Sequence, residues 1–367
     1  MTKVIFVLPV LQPAGAERVV AELARRLPEH GYSTEVICLE DERAPIGDEL
    51  IPAGVPVRGL RLSRRRTLAC AKALAALLPA ERPLILHAHL FHANMAARLA
   101  ATHVAREARK SLHVVSTIHV AERRFRPWQF ALDRITARYS RCEVCVSHAV
   151  ARFHQKQTGL PQYFFRVIEN GIDLQQFLPR EPQTGPAREV VAVGRLDPQK
   201  DYPTLLNAWK FVEEAHPEAR LSIAGDGPEE PNLKVLAGRL HLRRVNFLGF
   251  VKDVAALLRT ADVFAQSSAW EGFGLTVAEA MACSLPVVVT DADSLPELVT
   301  HERTGLVVHK GDAQALATAI LRLLQGRAEA AALGQAARVE ALRRFSIQRM
   351  IQDYARLYQE LVCAPSP

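Results

Sequence analysis

No apolar run in this chain is long enough to cross a membrane. The longest candidate after the start, Leu68 to Ala80, is too short and is interrupted by Lys72. The opening run, Val4 to Leu11, does not read as a secretory leader: it is short, carries Pro9 and leads into a glycine loop instead of a cleavage site. Cysteine is sparse, with six residues scattered through the chain, which predicts free thiols in a reducing compartment. No short-period repeat or low-complexity segment is visible. Aromatics are only 6% of the 367 residues, but 49% are hydrophobic and 23% charged. That balance excludes disorder and fibrous structure, and the length suits two domains, each with its own core.

The net charge of +7 is unevenly spread. Residues 1–175 carry 25 Lys and Arg against 16 Asp and Glu, whereas residues 176–367 carry 21 against 23. A basic first half suits a polyanionic partner: phospholipid headgroups, nucleic acid or a phosphorylated substrate.

Apolar runs alternate with helical patterns. In the first half the strand signals are Val4–Pro9, Thr34–Leu39, Leu84–His89, Val114–Ile118 and Val144–Ser147, with a helix over Ala16–Leu27 stopped by Gly31. The second half restarts the pattern with Glu189–Gly194, Arg220–Gly225, Val245–Leu248, Asp262–Gln266, Pro286–Thr290 and Gly305–Val308, and with helices over Tyr202–Ala215, up to Leu240, and from Leu275 to Ala282. Such alternation predicts α/β architecture: two doubly wound, Rossmann-like parallel sheets facing across a cleft, with ligands at the strand ends. The Pro/Gly-rich stretch Asn170–Pro186 reads as the hinge, which sets domains at 1–178 and 179–344. The final helix, 345–367, presents Ile347, Ile351, Tyr354, Leu357 and Leu361 on one stripe and is expected to pack back on the first domain.

The strongest constellation is Glu271-Gly-Phe-Gly-Leu-Thr-Val-Ala-Glu279. A glycine turn after the first carboxylate leads into a helix that bears the second. The backbone N–H groups of Phe273, Gly274, Leu275 and Thr276 would lie at a helix N-terminus, where unpaired donors and the helix dipole favour an anion. Carboxylates at either side can accept hydrogen bonds from sugar or ribose hydroxyls. An ordinary turn with a surface Glu at each end is the plain alternative, so the neighbours decide. Arg195 and Lys200 stand just past a strand end, where two cations could neutralise a departing diphosphate. Gly225 and Gly227 form a tight turn at another strand end, where a base or ribose could pass close to the backbone. Gly15-Ala-Glu-Arg18 sits at the first strand-to-helix turn, again a position that favours anions.

Taken in order, these residues resemble the retaining GT-B glycosyltransferases of glycosyltransferase family 4. The likeness adds His119 at the end of Val-Ser-Thr-Ile-His, Ser147 after Glu-Val-Cys-Val, and the interdomain signature Asn170-Gly-Ile-Asp173, and it covers nearly the whole chain. Ala14 replaces the first glycine of the family's Gly-Gly-Ala-Glu-Arg loop, which puts the shape of that loop in question. The resemblance implies that Arg195 and Lys200 hold the donor diphosphate and that Glu279 binds the ribose. It further implies that Glu271 with the amides of Phe273 to Thr276 grips sugar and phosphate. His119 would hydrogen-bond the sugar, and Gly15 would approach the diphosphate or acceptor through its backbone. It also implies same-face substitution with no metal and no cofactor, since Arg195 and Lys200 supply the positive charge.

Other signals are weaker. Cys142-Glu-Val-Cys145 has no second cysteine pair, and His87-Ala-His89-Leu-Phe-His92 has no acidic ligand nearby, so substrate contact or plain structure is favoured over metal for the histidines. Arg58, Arg61 and Arg64 to Arg66, with Arg123-Arg-Phe-Arg-Pro-Trp-Gln-Phe130, suit an anionic membrane surface or a lipid-diphosphate acceptor, with a solvated basic face as the alternative. No nucleic-acid motif accompanies the charge. The expectation is a cytoplasmic enzyme, peripheral on the cytoplasmic membrane face. It would move a sugar from a nucleotide-sugar donor, UDP-linked on resemblance, to a lipid-linked saccharide in surface polysaccharide or glycan synthesis. The rivals are a sugar-nucleotide epimerase or hydrolase on the same architecture, and a catalytically silent partner in a glycosylation complex.

Overall fold

A computed structural model describes residues 1–42, 44–80, 83–181 and 185–363. The expected hinge therefore falls partly, at 182–184, outside the described residues, and so does the end of the expected C-terminal helix, at 364–367. The chain forms two compact units. One is Met1–Gly171 together with the C-terminal segment from Ile347, and the other is Ile172–Ser346.

The first unit holds a seven-stranded parallel sheet in the order β3-β2-β1-β4-β5-β6-β7. Its strands are β1 (Thr2–Leu8), β2 (Tyr32–Cys38), β3 (Val57–Gly59), β4 (Leu84–His89), β5 (Leu112–Ile118), β6 (Cys142–Cys145) and β7 (Phe165–Val167). The central strands are buried on both faces, which is why they read as continuous apolar runs. Leu74, Leu84, Leu86, Ala97 and Val114 belong to a core cluster on this sheet. The C-terminal helix Ile347–Cys363 also packs here: Tyr32 Oη donates to Ala355 O at 2.9 Å. Its buried face is Ile347, Met350, Ile351, Tyr354, Leu357 and Tyr358, whereas Leu361 of the expected stripe lies at the half-buried rim.

The second unit holds a six-stranded parallel sheet in the order β10-β9-β8-β11-β12-β13. Its strands are β8 (Glu189–Val193), β9 (Arg220–Ala224), β10 (Val245–Gly249), β11 (Val263–Gln266), β12 (Val287–Thr290) and β13 (Leu306–Val308). Fully buried Trp209 and the stripe Leu316, Ile320, Leu323 and Leu324 fill its core. The unit begins and ends at one place, because Ile172 N donates to Phe345 O at 2.8 Å and Ile172 bridges Ser346. Among the described residues no helix is long and apolar enough to cross a membrane.

Candidate active site

In the second unit the strand order reverses between β8 and β11, which pair in parallel. Connections leave such a point in opposite directions and open a crevice beyond the strand ends. The loop after β8 carries Gly194 to Lys200, and the loop after β11 carries Ser267 to Gly274. Hydrogen bonds tie the two loops: Ala269 N donates to Gln199 O at 2.9 Å and Ser267 Oγ to Lys200 O at 2.8 Å.

Their meeting brings Lys200 Nζ to 2.6 Å from Glu271 Oε2. Glu271 is only 7% exposed, so its charge needs compensation. Besides Lys200, its carboxylate accepts from Gln266 Nε2 at 3.0 Å, Ser268 Oγ at 3.3 Å, Gln199 Nε2 at 3.4 Å and Gly272 N at 3.2 Å. Thr276 Oγ1 donates to Gln266 Oε1 at 3.0 Å, which fixes which end of that amide faces the carboxylate. The Glu271 backbone is held as well, since its N–H donates to Asp293 Oδ2 at 3.3 Å and Ser294 Oγ donates to its carbonyl at 3.2 Å.

The helix Leu275–Ala282 starts at Gly274, whose φ of 96° is left-handed. A Cβ there would meet Leu295 Cδ2 at 2.8 Å, so both the dihedral and the space call for glycine. Among the described residues, the amides of Phe273, Gly274, Leu275 and Thr276 find no acceptor, as expected of a first helical turn. The Phe273 ring is anchored edge-on against Phe345, 5.5 Å between centroids. Glu279 is half-buried on the same helix.

Arg195 is exposed and makes no contact with this network. Gly225 and Gly227 have a structural cause not foreseen from the sequence. A Cβ on either would run into the backbone of the diphosphate-loop candidates, Gly194 O for Gly225 and Leu196 O for Gly227. Gly225 also holds φ at +133°. These glycines let one loop lie flat on the other.

Gly15 and His119 belong to the first unit. Gly15 is exposed at the first residue of the helix Gly15–Arg26. His119 follows β5 directly and is half-buried, and burial pushes its imidazole down to about 4. Of the two readings left open for His87 and His89, substrate contact or plain structure, their full burial fits the second, because a sheet covered on both faces leaves no open side. Burial lowers His87 to about 3. Cys142 and Cys145 are buried within β6, and burial raises the Cys142 thiol to about 12. Ser147 caps the next helix, its Oγ accepting from Val150 N at 3.2 Å.

Two further features of this unit concern its buried and exposed basic residues. Arg98 is completely buried, 2.5 Å from both Asp133 Oδ1 and Glu143 Oε1. His154 joins Asp133 and Glu143 in a group whose ligand atoms lie within 4.8 Å of one another, but the guanidinium already occupies both carboxylates. Of the aromatics in the basic segment, Phe130 is buried and Phe125 packs against Phe91 at 4.9 Å, while Trp128 is 58% exposed. Arg58, Arg61 and Arg64 are paired with Glu35, Glu42 and Glu40, whereas Arg65 and Arg66 stand exposed beside Leu68, itself 67% exposed.

Sequence reasoning did not single out Gln199, Gln266, Ser268, Asp293 or Ser294, and it named Thr276 for its backbone amide, not for the hydroxyl that orients Gln266. Their one common signal is position, in or beside the loops that follow β8, β11 and β12.

Residues 13–176 match the family model described as Glycosyltransferase Family 4, and residues 176–340 match that described as Glycosyl transferases group 1. A phosphatidyl-myo-inositol mannosyltransferase of Mycobacterium leprae is 31% identical over 262 residues, 68% of this chain and 65% of that protein. The UDP-Gal:alpha-D-GlcNAc-diphosphoundecaprenol alpha-1,3-galactosyltransferase of Escherichia coli is 25% identical over 97% of this chain and 95% of its own. The crystal structure of Anabaena Alr3699/HepE in complex with UDP and glucose superposes with a TM-score of 0.81 at 23% identity, over 97% of this chain and 99% of that one. With two consecutive glycosyltransferase matches and this fold, the chain is a glycosyltransferase of the GT-B fold.

Proposed function

We propose that the chain transfers a sugar from a UDP-linked donor to a saccharide carried on a lipid diphosphate, with retention of anomeric configuration and no metal, in surface polysaccharide or glycan synthesis. One observation carries this reading: the Lys200–Glu271 pair stands two residues ahead of four unpaired amides at the switch point of the second sheet. The chemistry follows from charge. As the bond from the anomeric carbon to the diphosphate breaks, positive charge grows on the sugar and negative charge on the leaving oxygen. Lys200 and the amides of Phe273 to Thr276 are fixed groups of the right sign for that oxygen. Arg195 is exposed and breaks no contact in turning toward an anion.

In this reading the acceptor hydroxyl attacks the face that the diphosphate leaves. A new bond from the anomeric carbon to the acceptor oxygen forms, and the hydroxyl proton passes to the departing phosphate oxygen. No protein base is then needed, and positioning supplies most of the acceleration. Glu279 takes the ribose hydroxyls, Glu271 the sugar, and His119 one sugar hydroxyl. Gly15 offers backbone to the diphosphate or acceptor. The Escherichia coli relative's name pairs a UDP donor with a diphosphoundecaprenol acceptor, and the Anabaena structure holds UDP and glucose, which favours the same classes here. The exposed Arg65, Arg66, Leu68 and Trp128 suit a peripheral seat on an anionic cytoplasmic membrane face.

A thermal-shift screen of UDP, GDP and ADP sugars tests the donor, followed by NMR of the anomeric proton in the product with and without chelator. Stabilisation by a UDP sugar and a retained anomer are expected. An inverted product, loss of activity with chelator, or sugar release that ignores the acceptor would overturn the reading.

A further inference from the structure

The histidines of β4 and the end of β5 form a ladder. β4 and β5 are parallel, with His87 opposite Val115 and His89 opposite Thr117. Period-two alternation along each strand, with this register, puts His87, His89, Thr117 and His119 on the same face of the sheet. The His87 and His89 rings stack at 4.2 Å between centroids, and those of His89 and His119 lie 5.2 Å apart. His87 is locked from both sides, its Nδ1 at 2.6 Å from Tyr358 Oη and its Nε2 at 2.7 Å from Thr117 Oγ1. His89 Nδ1 and His119 Nε2 share a hydrogen bond of 2.9 Å. His89 Nε2 is buried with no partner among the described residues. Just beyond it Leu90 holds φ at 71°, a strained conformation that persists only where the surroundings enforce it.

Only one proton fits between His89 Nδ1 and His119 Nε2, and burial holds both rings neutral. If His119 donated, His89 would carry its own proton on Nε2, as a buried N–H with no acceptor. If His89 donates, its Nε2 is a bare lone pair. An orphaned buried N–H is the rarer and costlier defect. The second arrangement therefore prevails, and it leaves the His119 proton on Nδ1, the nitrogen turned away from His89.

We infer that His89 is a positioning residue: its Nδ1–H fixes His119 as the Nδ1–H tautomer, so that His119 meets its ligand as a hydrogen-bond donor to an oxygen. The part of this inference that concerns the ligand rests on the proposed contact between His119 and a sugar hydroxyl. The tautomer does not.

The test uses the full chain with histidine ring nitrogens labelled by nitrogen-15, read by long-range proton–nitrogen correlation, with His119→Gln to assign the signal. In the unsubstituted protein, protonation of His119 at Nδ1 is expected, and protonation at Nε2 overturns the inference whatever the enzyme's donor. His89→Asn keeps an N–H near the place of Nδ1 and should preserve the pattern. His89→Phe removes the donor and should shift the proton toward Nε2, and an unchanged pattern overturns the inference. In transfer assays His89→Phe should lower kcat about tenfold, corresponding to ~1.4 kcal/mol, with KM for the donor held and His89→Asn restoring the rate. A switched tautomer with unchanged kcat would overturn the positioning role. Absence of transfer by the unsubstituted chain from every donor would instead sink the functional proposal and leave the tautomer to the spectrum.

Discussion

Lys200 Nζ and Glu271 Oε2, 71 residues apart in sequence, meet at 2.6 Å where the second sheet changes winding direction. Each side chain holds the other in place: the ammonium compensates a carboxylate that is 7% exposed, and the carboxylate fixes the end of a long, flexible stem. Replacing either by Ala is expected to cut transfer by at least about a hundredfold, the scale of losing one fixed charge-stabilising donor. Glu271→Ala leaves Lys200 partly buried and unpaired, so a stability loss of about 1–3 kcal/mol is expected. The double variant Lys200→Met/Glu271→Gln should lose less than the sum of its singles. Calorimetric melts alongside transfer assays check both, and turnover at the unsubstituted rate by either single variant would refute the assignment.

Two glycine substitutions should behave oppositely. Gly225→Ala places a methyl group against the Gly194 carbonyl at a left-handed φ, so a loss of about 2–4 kcal/mol and weaker binding of nucleoside diphosphate are expected. Gly238 lies in the helix Glu230–Arg239 with no atom within 4 Å of its Cβ position, so Gly238→Ala should stabilise by about 0.5–1 kcal/mol and leave binding unchanged. Urea melts and titration calorimetry of the pair separate loop geometry from general tolerance.

The folded protein should be acid-labile in a defined window. Burial lowers His87 to about 3 and His113, His119 and His154 to about 4, from an ordinary 6.5. Between these values the unfolded chain binds more protons, so stability rises as pH climbs from about 4 to 6.5. Glu122, raised by burial to about 7, and buried Glu143, also raised, act in the opposite sense from 4.5 upward because the folded state then holds the extra proton. More histidines than carboxylates are shifted, so the slope stays positive to about 6.5 and turns slightly negative just above it. Urea midpoints at half-unit pH steps read this directly, and a flat profile from 4 to 6.5 would contradict the burial of the histidine ladder.

Membrane association should depend on anionic lipid. Flotation with vesicles containing phosphatidylglycerol is expected to recover the protein, with little recovery from neutral vesicles and progressive release as salt shortens the screening length. Trp128→Ala combined with Leu68→Ala should weaken recovery, since both side chains are exposed apolar groups beside cations. Equal recovery from neutral and anionic vesicles would remove the electrostatic part of the proposal.

Strand β4 and the helices Tyr202–Ala215 and Leu275–Ala282 have the bounds that the sequence pattern predicts, because each is a strong apolar or amphipathic run. β3 and β7 escaped notice: each has three residues at a sheet edge, half-exposed, with no apolar run to betray it. The Glu271 turn was legible because strand, glycines and helix are consecutive. Its supporting donors were not, since Gln199 reaches Glu271 only through the adjacency of β8 and β11, a property of winding order that no local window contains. The sequence left His87 and His89 open between substrate contact and plain structure for a related reason. Polar residues in a strand look ligand-facing until the Tyr358 hydroxyl, 271 residues away from His87, supplies a partner.

The bridge between Ile172 and Ser346 has a practical corollary. A stretch whose entrance and exit touch is topologically an insertion into its host, and cutting it out leaves two host ends already side by side. Residues 172–346 thus form a cassette that could be swapped for the corresponding stretch of another GT-B enzyme without lengthening either junction. If the proposed division of labour holds, such an exchange would carry nucleotide preference over as one block and leave the host's own loops untouched.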